Sequence, residues 1–365
     1  MKVKDITNLL EKLAPPALQE SYDNAGLIVG DPYMKVSGVL VSLDAIEPII
    51  DEAIERKCNM VVSHHPIVFK GLKRLNGSNY VERVVMKAVK NNIALYAIHT
   101  NLDNVLQNGV NAKIAEKIGL KDSRILAPKS SQLLKLVCYT PNDHSGQVLN
   151  ALFGAGAGHI GKYSECSFSS TGEGSFTASE GSNPFVGKVG ERHYESEQRL
   201  EVVLPRHAKS AVIKALMDAH PYEEVAYDVY AIENSSPTIG SGMIGQLPEP
   251  MPKKDFLAML KQQMKTAVVR YTETDKTHIQ TVALCGGSGS FLIHNAKASG
   301  ADAYVTGDVK YHDFFDGEDS LMICDIGHYE SEQFTIELLH DYLTENLPNF
   351  AVIFTQTNTN PIQYL

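Results

Sequence analysis

The sequence predicts an α/β fold in which a mostly parallel sheet is flanked by helices and interrupted by an inserted α+β domain. Short apolar segments rich in β-branched residues alternate with amphipathic segments at both ends of the chain. This alternation is typical of a parallel sheet covered by helices on both faces. The middle of the chain departs from the pattern, and 365 residues are enough for two domains.

Residues 1–127 carry the first run of alternating strands and helices. Helices are predicted where apolar residues recur three or four positions apart, and strands where short apolar runs end at polar residues. The predicted helices are 3–13, 46–56, 80–90 and 110–118, and the predicted strands are a short one within 21–31, then 38–43, 59–62 and 93–98. Pro15 ends the first helix and Gly119 the last.

Near residue 128 the pattern changes. Strands are predicted at 132–139, 199–203 and 225–232, with helices at 145–153 and 207–220. A Gly/Ser/Thr-rich section at 154–190 must contain one more strand, whose position the sequence does not fix. The resulting order, βαββαβ, is that of a ferredoxin-like unit. Residues 128–237 are therefore predicted to form a small inserted domain, with 235–237 as its exit linker.

The first pattern resumes in residues 238–365. Helices are predicted at 253–264, 293–298 and 329–343, and strands at 280–284, 303–306, 321–324 and 350–355. The simplest organisation is a single α/β domain made of residues 1–127 and 238–365, since insertions are tolerated where chain ends lie close together at a surface.

Composition excludes several classes of protein. The net charge of −10 and the lack of a Lys/Arg-rich run argue against a nucleic-acid-binding surface. No apolar stretch approaches the roughly 20 residues of a membrane span, and no signal peptide is recognised. The five cysteines are scattered and never spaced as CxxC. We therefore expect a cytoplasmic protein in a reducing compartment.

Side chains that commonly bind metals stand where predicted strands end. His64 and His65 follow one strand, and Pro66 prevents further sheet pairing. Adjacent side chains on an extended backbone point in opposite directions, so this pair suits two neighbouring ions better than one. Asp103 follows another strand. His328 and Glu332 are four residues apart at the start of a helix and therefore share one face.

Each donor taken alone has an ordinary alternative. Asp103 could be a cap or turn residue, and Glu332 a stabilising acid in the first turn of a helix. Together, three histidines and two carboxylates from strand ends of one predicted sheet suit Zn, Mn, Fe, Co or Ni better than Ca or Mg. Five ligands exceed the three of a typical catalytic zinc site, so a pair of ions about 3.5–4 Å apart is predicted.

Two glycine-rich segments are weaker signals. The G-x-G-x-x-G match at 156–161 follows a predicted helix rather than a strand, so a dinucleotide site is not expected there. The segment 286–290 joins a strand to a helix, and it could hold an anion or simply allow tight packing. His99, Thr100 and Asn101 stand beside Asp103 and are expected to support the ligands.

The chain also resembles the Nif-three-like family, whose members are labelled GTP cyclohydrolase I type 2 homologues or dinuclear metal centre proteins. The motifs that carry the resemblance are Ser-Tyr-Asp-Asn-Ala-Gly-Leu at 21–27, Ser-His-His-Pro at 63–66, His-Thr-Asn-Leu-Asp at 99–103, Thr-Gly-Asp at 306–308 and Gly-His-Tyr-Glu-Ser-Glu at 327–332. Tyr22 replaces a common Trp and Asp308 a frequent Glu, and neither position is a ligand in the family.

This resemblance implies two divalent cations per subunit, with zinc the first candidate and Fe, Mn, Ni or Co as alternatives. The implied ligands are His64, His65, Asp103, His328 and Glu332. It also implies a toroidal homohexamer whose metal sites face the central cavity. The middle segment, with His-Pro-Tyr-Glu-Glu at 220–224, is similar to the PII/CutA-like insert of the longer bacterial members.

Two functions follow as hypotheses. The first is a metal-dependent hydrolase acting on a nucleotide-like substrate, either a GTP-like purine whose imidazole ring is opened or a phosphoester. No separate general base is identified. The alternative is a non-enzymatic metal-binding regulatory or interaction protein whose insert senses a small ligand. Consumption of a bound compound would indicate the enzyme, and stable binding the sensor.

Overall fold

All 365 residues are described by the computed structural model, and they form two compact units. The larger unit combines Met1–Pro128 with Thr238–Leu365, and the smaller unit is Lys129–Pro237. The chain therefore leaves the larger unit once and returns to it once.

The first sheet of the larger unit is mostly parallel. Its strands, numbered along the chain, are β1 Gly26–Val29, β2 Val39–Ser42, β3 Met60–Ser63, β4 Ala94–Ala97 and β15 Val352–Phe354. Their order is β1-β4-β3-β2-β15, and only the β1–β4 pair is antiparallel. Strands β2, β3 and β4 consequently end at one edge, where α/β sheets commonly place binding residues.

A second sheet, which is mixed, also belongs to the larger unit. Its strands are β5 Lys121–Pro128, β10 Gly240–Pro252, β11 Arg270–Tyr271, β12 His278–Ser288, β13 Ala303–Gly307 and β14 Met322–Asp325, in the order β11-β14-β13-β12-β10-β5. Only β12, β13 and β14 are parallel neighbours. The expectation of one mostly parallel sheet is thus wrong for this half of the unit.

The reason for that error lies mainly in β10. This long strand contains several glycines and prolines, so no apolar period of two marks it in the sequence. Its partners β5 and β12 both run antiparallel to it. Antiparallel strands need no crossover helix between them, so no predicted helix in the sequence indicates this pairing.

Nine helices complete the larger unit. They are α1 Val3–Leu13, α2 Glu47–Glu55, α3 Tyr80–Lys90, α4 Thr100–Asp103, α5 Val110–Ile118, α8 Lys253–Gln263, α9 Ile293–Ala298, α10 His328–Glu332 and α11 Thr335–Asn346. The single long helix expected at 329–343 is in fact two helices, α10 and α11. None of the helices has both the length and the hydropathy that a membrane span requires.

One continuous core ties the two sheets of the larger unit together. It contains apolar side chains of both sheets and of α1, α5, α8 and α11, for example Tyr96, Ile114 and Val305. Separate clusters pack α2 and α3 on the first sheet, and α9 on the second. Burial of each large aliphatic side chain contributes about 1.5–3 kcal/mol, so the shared core holds the two sheets firmly against each other.

The smaller unit has the element order β-α-β-β-α-β that the sequence predicts. Its elements are β6 Leu133–Pro141, α6 Ser145–Gly154, β7 Ser167–Thr177, β8 Arg192–Pro205, α7 Lys209–Ala219 and β9 Tyr227–Ala231. The sheet order is β7-β8-β6-β9, with every pair antiparallel, and both helices contribute to its core. The strand that the sequence could not place is β7. The similarity to PII/CutA-like domains stays a prediction.

Candidate metal centre

His64 directly follows β3 and is completely buried. Its Nδ1 lies 2.8 Å from the backbone carbonyl oxygen of Ile98, at the end of the neighbouring strand β4. A carbonyl oxygen only accepts hydrogen bonds, so Nδ1 carries the proton in this contact. The Nε2 of His64 therefore presents a lone pair, which is the form of imidazole that binds metals.

The other two predicted histidines are oriented by carboxylates. His65 Nδ1 lies 2.8 Å from Asp44 Oδ1, and His328 Nδ1 lies 2.7 Å from Asp308 Oδ2. Asp44 follows β2 and Asp308 follows β13, so strand ends supply the supporting groups as well. A carboxylate on the far nitrogen fixes the ring and raises its basicity as a ligand.

The structure brings all five predicted donors together. Glu332 Oε2 lies 2.9 Å from His65 Nε2 and 3.1 Å from His328 Nε2. His64 Nε2 lies 3.7 Å from Glu332 Oε1 and 3.7 Å from Asp103 Oδ1. Three groups of possible donors result. Glu332 belongs to two of them, one with His65 and His328 and one with His64 and Asp103, and the third joins His64 and His65 to His99. The donors come from the facing edges of two sheets rather than from the one sheet that we expected.

Two buried donor atoms in this cluster have no hydrogen-bond partner: His64 Nε2 and Asp103 Oδ1. Leaving a buried polar atom unpaired costs about 1–3 kcal/mol, and such atoms are uncommon in folded proteins. A cation between them would satisfy both at once. The chemistry of the donor set therefore fits a divalent metal ion.

Charge balance within the cluster explains the direction of its pKa shifts. Burial raises the pKa of Asp103, and the charge of Glu332 raises it further. Burial lowers the pKa of His65, but hydrogen bonds with Asp44 and Glu332 outweigh this and raise it to about 9. Burial also lowers the pKa of His328, but the charge of Glu332 and the hydrogen bonds with Asp308 and Glu332 outweigh this and raise it to about 11. Excess negative charge thus favours cations here, whether protons or metal ions.

Gly287 allows Glu332 to reach this position. Its φ of +62° is a conformation that residues with a side chain rarely adopt. A Cβ at this residue would overlap with Glu332 Oε1, and the Gly287 amide donates a hydrogen bond to Ser331 Oγ, 2.9 Å away. Of the two interpretations of the 286–290 segment, these contacts support close packing rather than an anion site.

Asp23 lies beside the donors and was not assigned a role from the sequence, whereas its partner His99 was expected to support the ligands. The buried carboxylate of Asp23 lies 2.8 Å from His99 Nδ1 and also accepts hydrogen bonds from Thr100. Burial raises the pKa of Asp23, yet these hydrogen bonds lower it to about 2. The His99 ring centroid lies 5.2 Å from that of His64 and 5.5 Å from that of His65.

Sequence signals for these supporting acids existed but were indirect. Asp23 lies within the 21–27 motif that carries the family resemblance, and Asp44 ends a predicted strand. Neither the position of Asp23 nor that of Asp44 in the sequence shows which histidine its carboxylate would contact.

A cavity of about 320 Å³ opens onto the donors. His65, Asp103, His328 and Glu332 form one part of its wall, and the aromatic rings of Tyr22, Phe69 and Phe291 line it as well. Its volume is in the range of small-molecule sites.

Comparison with known proteins places the chain among close relatives. A Bacillus subtilis (strain 168) protein named GTP cyclohydrolase 1 type 2 homolog is 41% identical over 368 residues, which cover 99% of this chain and 98% of the relative. The solved structure of a Bacillus cereus protein related to NIF3 is 37% identical, with a TM-score of 0.87 over 100% of this chain and 99% of that chain. A solved Staphylococcus aureus protein is 31% identical, with a TM-score of 0.78 and the same coverage. The family described as Duf34/NIF3 (NGG1p interacting factor 3) matches residues 1–361, and this chain belongs to that family.

Proposed function

We propose that this protein is a metal-dependent hydrolase with a dinuclear centre held by His64, His65, Asp103, His328 and Glu332. The observation that carries the proposal is the position of Glu332. Its Oε2 faces His65 and His328, while its Oε1 faces His64, which in turn faces Asp103. A carboxylate with donors on both of its oxygens is suited to bridge two cations.

The donor types limit the choice of metal. Imidazole nitrogens combined with carboxylate oxygens favour Zn, Mn, Fe, Co or Ni over Ca or Mg, and zinc is our first candidate. Divalent cations at such a centre supply a nucleophilic water at neutral pH and polarise the bond that is attacked.

The protein's own groups would orient the reactants and move protons. Asp103 and Glu332 provide the negative charge that offsets the cations. We assign proton transfer to Nε2 of His99, because its Nδ1 is held by Asp23 and the ring lies beside His64 and His65. An acid behind an imidazole fixes its orientation and stabilises its protonated form.

The substrate we propose is nucleotide-like. Tyr22, Phe69 and Phe291 line the cavity that leads to the donors and are 69%, 49% and 64% exposed. Flat aromatic surfaces of this kind suit stacking against a nucleobase. The name of the Bacillus subtilis relative points to GTP. A phosphoester is the other substrate class that we would assay.

The test combines metal analysis with activity. Protein purified without added metal should contain up to two divalent ions per chain. After reconstitution with Zn, Mn or Fe, it should hydrolyse a compound from a panel of nucleotides and phosphoesters. His65→Ala and Glu332→Ala should lower that activity at least 100-fold. His340→Ala is the matched control, since His340 lies on α11 and contacts Asp341 and Phe354. Activity that survives both ligand substitutions would contradict the mechanism.

We also propose a homohexameric assembly. Tyr311 and Phe315 are 72% and 64% exposed, and large exposed aromatic groups commonly mark contact surfaces. Native mass spectrometry should give about six times the 40.0 kDa of one chain.

A non-enzymatic sensor is the second candidate function. It is favoured by a large cavity in the smaller unit, which lies wholly within Lys129–Pro237. A compound that binds the protein and is recovered unchanged after prolonged incubation with the metal-loaded form would favour this function over hydrolysis.

A further inference from the structure

The smaller unit contains a cavity of about 840 Å³ on one face of its sheet. Along β8, Leu200, Val202 and Leu204 belong to the core that includes side chains of α6 and α7. Glu197 and Arg199 alternate with these residues and therefore lie on the opposite face. Gly172 of β7 pairs directly with Glu197, so the cavity lies on the face that the helices leave open.

Aromatic rings form much of the cavity wall. Phe176 is the second-last residue of β7, Phe185 comes from the loop after β7, and Tyr222 comes from the segment after α7. The ring centroid of Tyr222 lies 6.2 Å from that of Phe176 and 6.1 Å from that of Phe185. At these separations Tyr222 is in contact with both phenylalanine rings, so the three form one aromatic patch in the cavity wall.

The charge inside the cavity is negative. Glu197 Oε1 accepts a hydrogen bond from the Tyr222 hydroxyl at 2.9 Å, and no lysine or arginine forms an ion pair with this carboxylate. Glu223 and Glu224 also line the cavity. The lining cation, Arg199, lies 3.0 Å from Glu201, which Lys135 also contacts, so Glu201 offsets the charge of Arg199 only in part. The carboxylates of the lining outnumber this one cation.

We propose that this cavity binds a small organic cation, meaning an ammonium or guanidinium group on an apolar body. The faces of the aromatic rings attract a cation, and the Glu197 carboxylate accepts a charge-assisted hydrogen bond from it. The volume suits a ligand of ordinary drug size. Nucleotides and other phosphoesters are disfavoured because like charges repel. The site is therefore distinct from the metal centre and does not depend on the function proposed for it.

Tyramine is the first probe, because two analogues share its ring and differ in charge. Isothermal titration calorimetry on the full chain should give a tyramine Kd below about 1 mM. The uncharged 4-ethylphenol and the anionic 3-(4-hydroxyphenyl)propionate should bind at least about tenfold more weakly. Removal of metals with EDTA should leave tyramine binding unchanged.

Two matched pairs of variants locate the site. Glu197→Gln should weaken tyramine binding about tenfold or more, whereas Glu195→Gln should not, because Glu195 pairs with His193 and does not line the cavity. A Cβ at Gly172 meets no atom within 4 Å, so Gly172→Leu should fill the cavity without strain and abolish binding. Gly146→Leu, on α6 and equally open, is its control.

Circular dichroism and the unfolding midpoint establish that each variant is folded. The proposal is overturned if tyramine, agmatine and spermidine all fail to bind at about 10 mM. It is also overturned if 4-ethylphenol binds as tightly as tyramine, or if binding persists in both Glu197→Gln and Gly172→Leu.

Discussion

Replacing Glu332 with glutamine removes the carboxylate shared by two of the three donor groups while keeping the size of the side chain. Glu332 is only 3% exposed, and its two oxygens face His65, His328 and His64. A neutral amide cannot bridge two cations. We therefore expect the bound metal to fall from two ions per chain to one or fewer.

The size of the effect follows from linkage. A ligand at 100 times its Kd stabilises the folded state by about 2.7 kcal/mol per site, so two ions contribute about 5 kcal/mol. For a folded unit of this size, 1 kcal/mol shifts the unfolding midpoint by about 2–4 °C. Metal should thus raise the midpoint of the unsubstituted protein by roughly 10–20 °C, and that of Glu332→Gln by less than half as much.

Calorimetric unfolding with and without zinc, after EDTA treatment, measures this gain, and elemental analysis gives the stoichiometry. Glu330→Gln is the matched control, because Glu330 is a buried residue of the same helix whose Oε1 accepts a hydrogen bond from Asn360, not from a histidine. If Glu332→Gln still binds two ions and keeps the full gain in midpoint, the bridging role assigned to Glu332 is wrong.

Three further predictions follow from single side-chain contacts. Asp23→Asn should lower kcat of the proposed hydrolysis by about 100-fold or more while the metal content of the protein stays constant, because His99 loses its acid partner. Gly287→Ala should weaken zinc binding at least tenfold, measured by competition with a chelator, since the added Cβ displaces Glu332. Burial raises the pKa of Glu52, but hydrogen bonds from the C-terminal segment outweigh it and lower the pKa from 4.5 to about 2. The ionised Glu52 carboxylate therefore stabilises the folded state fully above pH 4.5, and this stabilisation is lost as the pH falls towards 2. Urea denaturation should show that Glu52→Gln is less stable than the unsubstituted protein by about 1 kcal/mol at pH 7, and that the difference disappears near pH 2.

The positions of the donors were accessible from sequence because each donor lies next to a local signal. His64 and His65 directly follow an apolar strand, and His328 and Glu332 are joined by helical spacing. The carboxylates that accept hydrogen bonds from Nδ1 of the histidine ligands could not be predicted from such local signals. Asp308, for example, is 20 residues from His328 along the chain and contacts it only because β13 and β14 are neighbours.

The parts of the fold that were missed lack an apolar period. Strand β7 is rich in Ser, Gly and Thr and is largely exposed, so its sequence lacks the alternating apolar residues that would predict a strand. Strand β10 is interrupted by glycines that fit against neighbouring backbone, as at Gly240, where a Cβ would meet the carbonyl oxygen of Ala127. Division into two sheets depends on long-range pairing, which local patterns do not encode.

The order of the donors along the chain has a consequence for biosynthesis. His64, His65 and Asp103 are translated before the smaller unit, and His328 and Glu332 after it. A nascent polypeptide therefore lacks part of the proposed ligand set until all but its last 33 residues have left the ribosome. Tight binding of metal ions should consequently require that both segments of the larger unit, Met1–Pro128 and Thr238–Leu365, have folded together. Products of premature termination should release their cations to a chelator.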